Sequence, residues 1–534
     1  MLTKLEMNLA RRENLGDGIR RTSNRYPDKT ALIFYDLNDV VESCTYKELN
    51  EKINRVANSL LKLGLSKGDR VAVLSRNSAK MVILSCALFK LGAWFTPVNF
   101  MLSQQEVKSL IDFAEPKFFF VEDLFEKKVK EFGGSMKSVE HFGYLAGPGT
   151  ETPAGWIDFN KLLKGGDDEP EVLVENEDEA ALFFTSGTES APKGVMTTHN
   201  SFYASQLSYQ MIFHMSHEDI FLLSLPMIHM AGFDLLLLSL TAGATVVMTQ
   251  LPNPSQMLKL LDEHKITSTA LPPTLYVALL SEPGVDDCCF DSAKKFLTWS
   301  STIPKAMVEG WKKIAPNISF FTGQGSSESS ATVITGGWFA DWDDIPNHDG
   351  RWVGTHSLAG IELKLVDESG EEVAVGEPGE QLIRGPALMK GYYKNDEANN
   401  KSFRDGWFYT GDILFRDEDG NYFFADRKKD MIKSGGENVF CQEVESVIGT
   451  HPGVMQCAVF GMQDDRWGEA VTAAVVLKSD SEVTEKNIIT FCKEKIAGFK
   501  VPKRIYFRSS LPMSAANKLL KRELRAEYTK KLTL

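Results

Sequence analysis

Residues Phe183–His199 read FFTSGTESAPKGVMTTH. An apolar run ends in hydroxyls (Thr185, Ser186, Thr188), two glycines (Gly187, Gly194), a proline and Lys193. Hydroxyls and backbone N–H groups beside glycine can donate to phosphate oxygens, and a lysine adds a point charge. The nucleotide-binding GxxxxGK[ST] loop places its lysine after the last glycine. Here Lys193 precedes Gly194, so that pattern fails while its physical ingredients remain.

Outward from this loop, helix and strand patterns alternate. TYKELNEKINRVANSLLKLG (Thr45–Gly64) has helical apolar spacing, with Thr45 and Glu48 as a capping box and Gly64 as the stop. DRVAVLS reads as a buried strand, SAKMVILSCALFKLGA as a helix, and WFTPVN, ATVVMTQ and PSQMLKLLDEHKI continue the alternation. The pattern predicts an α/β fold with helices over largely parallel sheets. AGFDLLLLSL (Ala231–Leu240) reads as a core helix. After about residue 350, IELKLVDESGEEVAVGEPGEQLIRG reads as strands with glycine turns, a smaller β-rich subdomain. The end of the chain alternates again as a small α+β unit. We place the boundary near Arg427–Asp430, giving domains 1–428 and 429–534.

Composition is that of a soluble globular chain of 534 residues, long enough for several domains. No apolar run approaches the roughly 20 residues that span a bilayer, and the N-terminus lacks a secretory signal. Seven cysteines, an odd number without a CxxC, fit a reducing cytoplasm rather than a disulfide scaffold or zinc site. The net charge of −13 argues against a nucleic-acid partner. From Phe491 onward twelve Lys/Arg face three Asp/Glu, a basic end suited to a solvated surface or to polyanionic ligands.

Five further stretches stand in order with the loop: PMIHMAG (Pro226–Gly232), QGSSES (Gln324–Ser329), GWFYTGD (Gly406–Asp412), DRKKDMIKSGGENV (Asp426–Val439) and LPMSAANKLLKRELR (Leu511–Arg525). Together the six resemble the signature motifs of adenylate-forming enzymes: acyl-CoA synthetases, luciferases and peptide-synthetase adenylation domains. The resemblance covers nearly the whole chain. It implies a large N-terminal domain of sheets and packed helices, a β-rich subdomain, and a small mobile α+β C-terminal domain. It also implies two steps. A carboxylate attacks the α-phosphate of ATP, and a thiol, usually that of coenzyme A, then displaces AMP.

The resemblance assigns roles by position. Thr185, Ser186, Gly187, Thr188 and Lys193 would hold phosphates, with Gly325, Ser326 and Ser327 beside the nucleotide. Glu328 would bind Mg2+, a hard cation suited to carboxylate oxygen. Asp412 would accept the ribose hydroxyls, with Arg427 close by. Lys518 would offset charge in the adenylation transition state. Lys429 would be the hinge. Lys433, Gly435, Gly436, Glu437, Arg466, Trp467 and Lys500 would face coenzyme A, the glycines leaving room for its thin arm. His229 would sit at the carboxylate, in an acyl pocket with Phe202, Phe233, Trp299, Ser300, Gly323 and Val333.

Some positions depart from the usual motifs. Glu189 and Ser190 replace a Thr-Gly pair, and Asn517 a glycine. Ser327 replaces a threonine. Ser300 and Ser301 stand where glycines are frequent, and Gln324 where a stacking tyrosine is common, which points to a hydrogen bond in place of the stack. The expected activity is ATP-dependent acyl-CoA ligation of a medium-chain, branched or aromatic monocarboxylate. Two alternatives are an enzyme loading a separate carrier protein and a non-catalytic binding relative. The sequence leaves homo-oligomerisation open.

Overall fold

The computed structural model describes residues 3–39, 41–147, 149–185, 193–299, 302–464, 466–479, 481–513 and 519–532. The expected helix after Thr45 runs over Tyr46–Lys62. The Thr45 hydroxyl accepts from the Glu48 N–H, and the Glu48 carboxylate accepts from the Thr45 N–H. Such a cap contributes about 1 kcal/mol. Gly64 follows the helix with φ 86°.

Two large mixed sheets frame the N-terminal part. One has nine strands, and its inner strands (Thr30–Tyr35, Thr245–Thr249, Ile220–Leu223, Ser268–Ala270, Lys295–Thr298, Ser319–Ser326) run parallel. The other has eight, built outward from the parallel strands Arg70–Leu74, Trp94–Val98 and Phe118–Glu122. Its far edge is antiparallel: Glu179–Thr185, Lys193–Thr198 and Gly391–Tyr392. Helices Ala79–Leu91 and Met230–Ala242 have no continuous polar stripe, and nearly every residue of each is buried. Helices apolar on all sides belong in an interior. These two share one core with Phe95 and Phe183 of the eight-stranded sheet and Phe221 and Val246 of the nine-stranded sheet.

A third, antiparallel sheet holds Trp352–Gly354, Glu362–Val366, Gly379–Arg384, Trp407–Arg416 and Tyr422–Arg427, as the strand-and-turn pattern implies. A fourth follows, with Ile432–Ser434, Glu437–Val439, Val454–Asp464, Gly468–Leu477 and Arg504–Arg508. Helices Cys441–Gly449, Glu485–Lys493 and Lys521–Leu532 accompany it. The change of sheet falls between Arg427 and Ile432. All seven cysteines are free. Among the described residues no helix is long and apolar enough to cross a membrane.

Candidate active site

Strands Glu179–Thr185 and Lys193–Thr198 pair antiparallel, with Thr185 opposite Lys193. The two residues are the posts of the loop between them, and both line a cavity of about 2810 Å3. A drug-sized pocket occupies roughly 300–1,000 Å3, so this one has room for several substrate groups at once. Ser186, Gly187 and Thr188, with Glu189 and Ser190, lie outside the described residues.

The strand Ser319–Ser326 brings Gly323, Gln324, Gly325 and Ser326 to the cavity, and the short 3-10 turn Ser327–Ser329 adds Ser327 and Glu328. Glu328 is held twice. Its backbone carbonyl accepts from the Met389 N–H at 2.7 Å, and its Oε1 accepts from the Tyr392 hydroxyl at 3.0 Å. Tyr392 lies on the edge strand that pairs with Lys193–Thr198, and the Lys193 Nζ sits 5.1 Å above its ring. Burial and the Glu328 charge push the Tyr392 phenol up, so it stays a donor. Tyr392 thus ties Lys193 to Glu328. Sequence reading missed it, because Tyr392 belongs to none of the six motifs and meets Lys193 only through strand pairing.

Asp412 owes its direction to a bulge. Between Glu380–Ile413 and Leu382–Tyr409, three residues (Thr410, Gly411, Asp412) oppose the single Gln381. Such an insertion bends the strand and re-aims side chains. Gly411 takes φ 74°, which glycine adopts without penalty. The Thr410 hydroxyl closes the bulge, donating to the Gln381 carbonyl at 2.8 Å and accepting from the Asp412 N–H at 3.1 Å. On the other side Asp412 stands opposite Arg427, with Oδ1 2.8 Å from Arg427 Nε. Asp412 holds the guanidinium above the usual arginine range. Asp412, Arg427 and Lys429 all line the cavity.

Lys518 lies outside the described residues, but its flanks do not. Met513 and Leu519 form an antiparallel bridge, and both line the cavity, as do Leu520 and Lys521. Ion pairs fix this end of the chain: Lys521 to Glu445 at 2.9 Å and Arg525 to Asp430 at 3.2 Å. The Cys441 N–H also donates to Asp426, the residue before Arg427.

On the acyl side the cavity is lined by part of the expected set. His229, Trp299 and Gly323 line the cavity, while Ser300 lies outside the described residues. Phe202, Phe233 and Val333 do not line it. Phe233 stacks on Phe95 at 4.8 Å and meets Phe89, Phe183 and Phe202 edge-on or tilted. Both phenylalanines are fully buried in the core. Val333 packs with Val195, Leu358 and Ile383 in a separate cluster. The apolar lining comes from Tyr209, Leu225, Met230, Leu297 and Phe321.

The seven residues expected at coenzyme A do not line this cavity either. Gly435 and Gly436 form the two-residue turn of a hairpin, with φ 64° and 88°. Positive φ at both positions is what such a turn demands. The Trp467 ring leaves a Cβ at Gly435 only 3.1 Å of room. Arg466 and Lys503 lie over the Trp467 ring at 4.7 and 5.2 Å. Lys433 and Glu437 are exposed in the hairpin strands. Lys500 instead pairs with Glu443 at 2.7 Å.

Thr185, Lys193, a tethered glutamate and an Asp–Arg pair thus line one cavity, the arrangement expected of an adenylate-forming enzyme of the acyl-CoA synthetase kind. The chain belongs to the AMP-binding enzyme family: that family's model matches residues 19–393, and the model of its C-terminal domain matches residues 443–518. The chain is similar to a 2-succinylbenzoate–CoA ligase of Bacillus licheniformis, 31% identical over 95% of this chain and 98% of that protein. It is also similar to a long-chain-fatty-acid–CoA ligase of Mycobacterium tuberculosis, 31% identical over 91% and 93%. Among solved structures, an anthranilate CoA ligase in complex with anthranoyl-AMP superposes with TM-score 0.88, at 27% identity and 98% coverage of both chains.

Proposed function

We propose that the chain activates an apolar monocarboxylate with ATP and transfers the acyl group to coenzyme A. The observation that carries this reading is one cavity joining Lys193, Glu328, Asp412 and Arg427 to an apolar extension. Relatives named for different acids match at equal identity, so the lining has to choose the acid. The runs that supply the extension (residues 225–232, 251–252, 272–278, 297–299 and 321–323) contain no Lys or Arg. A second carboxylate there would find no lysine or arginine in these runs, and an unpaired buried charge is costly. A medium-chain, branched or aromatic acid fits.

In the first step a carboxylate oxygen attacks the α-phosphorus, and pyrophosphate leaves with the bridging oxygen. Lys193 and the loop it closes bind the departing phosphates, and Lys518 neutralises charge at the α-phosphate. Asp412 and Arg427 anchor the ribose. Glu328 fits magnesium: a carboxylate oxygen steered by Tyr392 suits that cation, which when bound neutralises phosphate charge. In the second step the thiolate sulfur attacks the acyl carbonyl and AMP leaves. A change of orientation at Lys429, between domains 1–428 and 429–534, would bring the Gly435–Gly436 hairpin and Trp467 toward the cavity. The free cysteines favour a reducing compartment such as the cytoplasm.

The test is a panel of carboxylates with ATP and magnesium, following pyrophosphate and thioester with and without coenzyme A. Apolar monocarboxylates should give both products, and dicarboxylates neither. Pyrophosphate without thioester in the presence of coenzyme A would move the acceptor to a carrier protein.

A further inference from the structure

Gln324 is 9% exposed, and its amide is fully committed. Its Nε2 donates to Asp412 Oδ2 at 2.7 Å and to Gln381 Oε1 at 3.1 Å, and its Oε1 accepts from Gln381 Nε2 at 3.0 Å. The two glutamines form a closed amide pair, and the second Nε2 proton of Gln324 goes to Asp412. A flipped Gln324 would put its carbonyl oxygen against the carboxylate, so the Asp412 charge fixes the orientation. Asp412 Oδ2 is thereby held, while Oδ1 lies buried beside Arg427 with no hydrogen bond aligned to it.

We infer that Gln324, backed by Gln381, is the positioning residue for the ribose-binding carboxylate and sets the preference for ribonucleotides over deoxyribonucleotides. The inference rests on the proposed role of Asp412. Three elements meet here. Gln324 lies on the strand that leads into Glu328, Gln381 sits opposite the bulge, and Asp412 is on the bulge itself. The amide pair therefore fixes the ribose carboxylate relative to the glutamate that faces the phosphates. A vicinal diol needs a carboxylate at one angle, and a side chain free to rotate about its two torsions loses part of that selectivity.

The test compares binding of AMP, 2′-deoxy-AMP and 3′-deoxy-AMP by titration calorimetry, which needs no carboxylate substrate. The full-length proteins are wild type, Gln324→Met and the double variant Gln324→Met/Gln381→Met. Methionine keeps the length of the side chain. The double variant leaves no orphaned amide, so it retains the fold should the single variant not. Wild type should favour AMP over each deoxy form by about tenfold, the worth of one hydrogen bond to a charged group. Both variants should cut that ratio to threefold or less, mainly through weaker AMP binding. An unchanged ratio, or equal weakening toward all three nucleotides, overturns the inference. Wild-type protein that binds none of them overturns the nucleotide site itself, a failure distinct from a site that binds with an unchanged ratio.

Discussion

Asp234→Asn isolates what one buried acid costs this fold. Asp234 is fully buried in the helix Met230–Ala242, and burial pushes its carboxyl up to about 7 against hydrogen bonds from Ser205 and Gln206. The Ser205 hydroxyl lies 3.1 Å from Asp234 Oδ2 and 2.6 Å from the Ser330 carbonyl, two residues beyond Glu328. One hydroxyl proton cannot serve both oxygens, so a proton on Asp234 completes the set. The unfolded acid titrates near 3.8 and the folded one near 7. Between those values the folded state holds more protons, so stability falls as pH rises through the window. At about 1.4 kcal/mol per unit, the roughly three units amount to about 4 kcal/mol. His199 slopes the other way: burial lowers it to about 4, so it destabilises the fold as pH drops below its usual value. His199 is common to both proteins and cancels in their difference. Urea unfolding of wild type and variant at pH 5, 6, 7 and 8 reads that difference directly. It should grow with pH in favour of Asp234→Asn and level off above pH 7. A constant difference, or a variant less stable at pH 8, would refute a buried protonated acid.

Tyr392→Phe removes the hydroxyl that holds Glu328 and should lower the adenylation rate by about 10- to 100-fold, as expected for 1.5–3 kcal/mol at a charged acceptor. Pyrophosphate release at saturating ATP checks it, and a rate within threefold of wild type would release Tyr392 from that role. Lys518→Ala should abolish adenylate formation while leaving thioester formation from supplied acyl-adenylate nearly intact. Gly435→Ala should do the reverse, because a side chain at φ 64° meets both strain and the Trp467 ring. Half-reaction assays separate the two variants, and equal loss of both steps in either one would contradict the division of labour.

The sequence made some of this molecule legible and hid the rest for physical reasons. The Thr45–Glu48 box and the apolar runs at Ala79–Leu91 and Met230–Ala242 depend on neighbours close in the chain, and each formed as read. Thr185, Lys193, Glu328, Asp412 and Arg427 came from motifs, and the fold gathers them at one cavity. Tyr392 and Gln381 were invisible because their roles come from pairing: one through an edge strand added beside Lys193, the other through a bulge three residues deep. Phe202, Phe233 and Val333 were read as pocket residues because apolarity marks a wall without saying which side of it faces substrate. Gln324 was read as exchanging a stack for a hydrogen bond, and its donation to Asp412 was not legible because that carboxylate lies 88 residues away.

The central claim is that a carboxylate oxygen bonds to the α-phosphorus. An accepted acid labelled with 18O in its carboxylate, incubated with ATP, magnesium and coenzyme A, tests this most directly by mass spectrometry of the products. Attack at the α-phosphorus leaves one labelled oxygen in AMP and none in pyrophosphate. Label in inorganic phosphate, with ADP as the nucleotide product, would mean attack at the γ-phosphorus and would contradict the account.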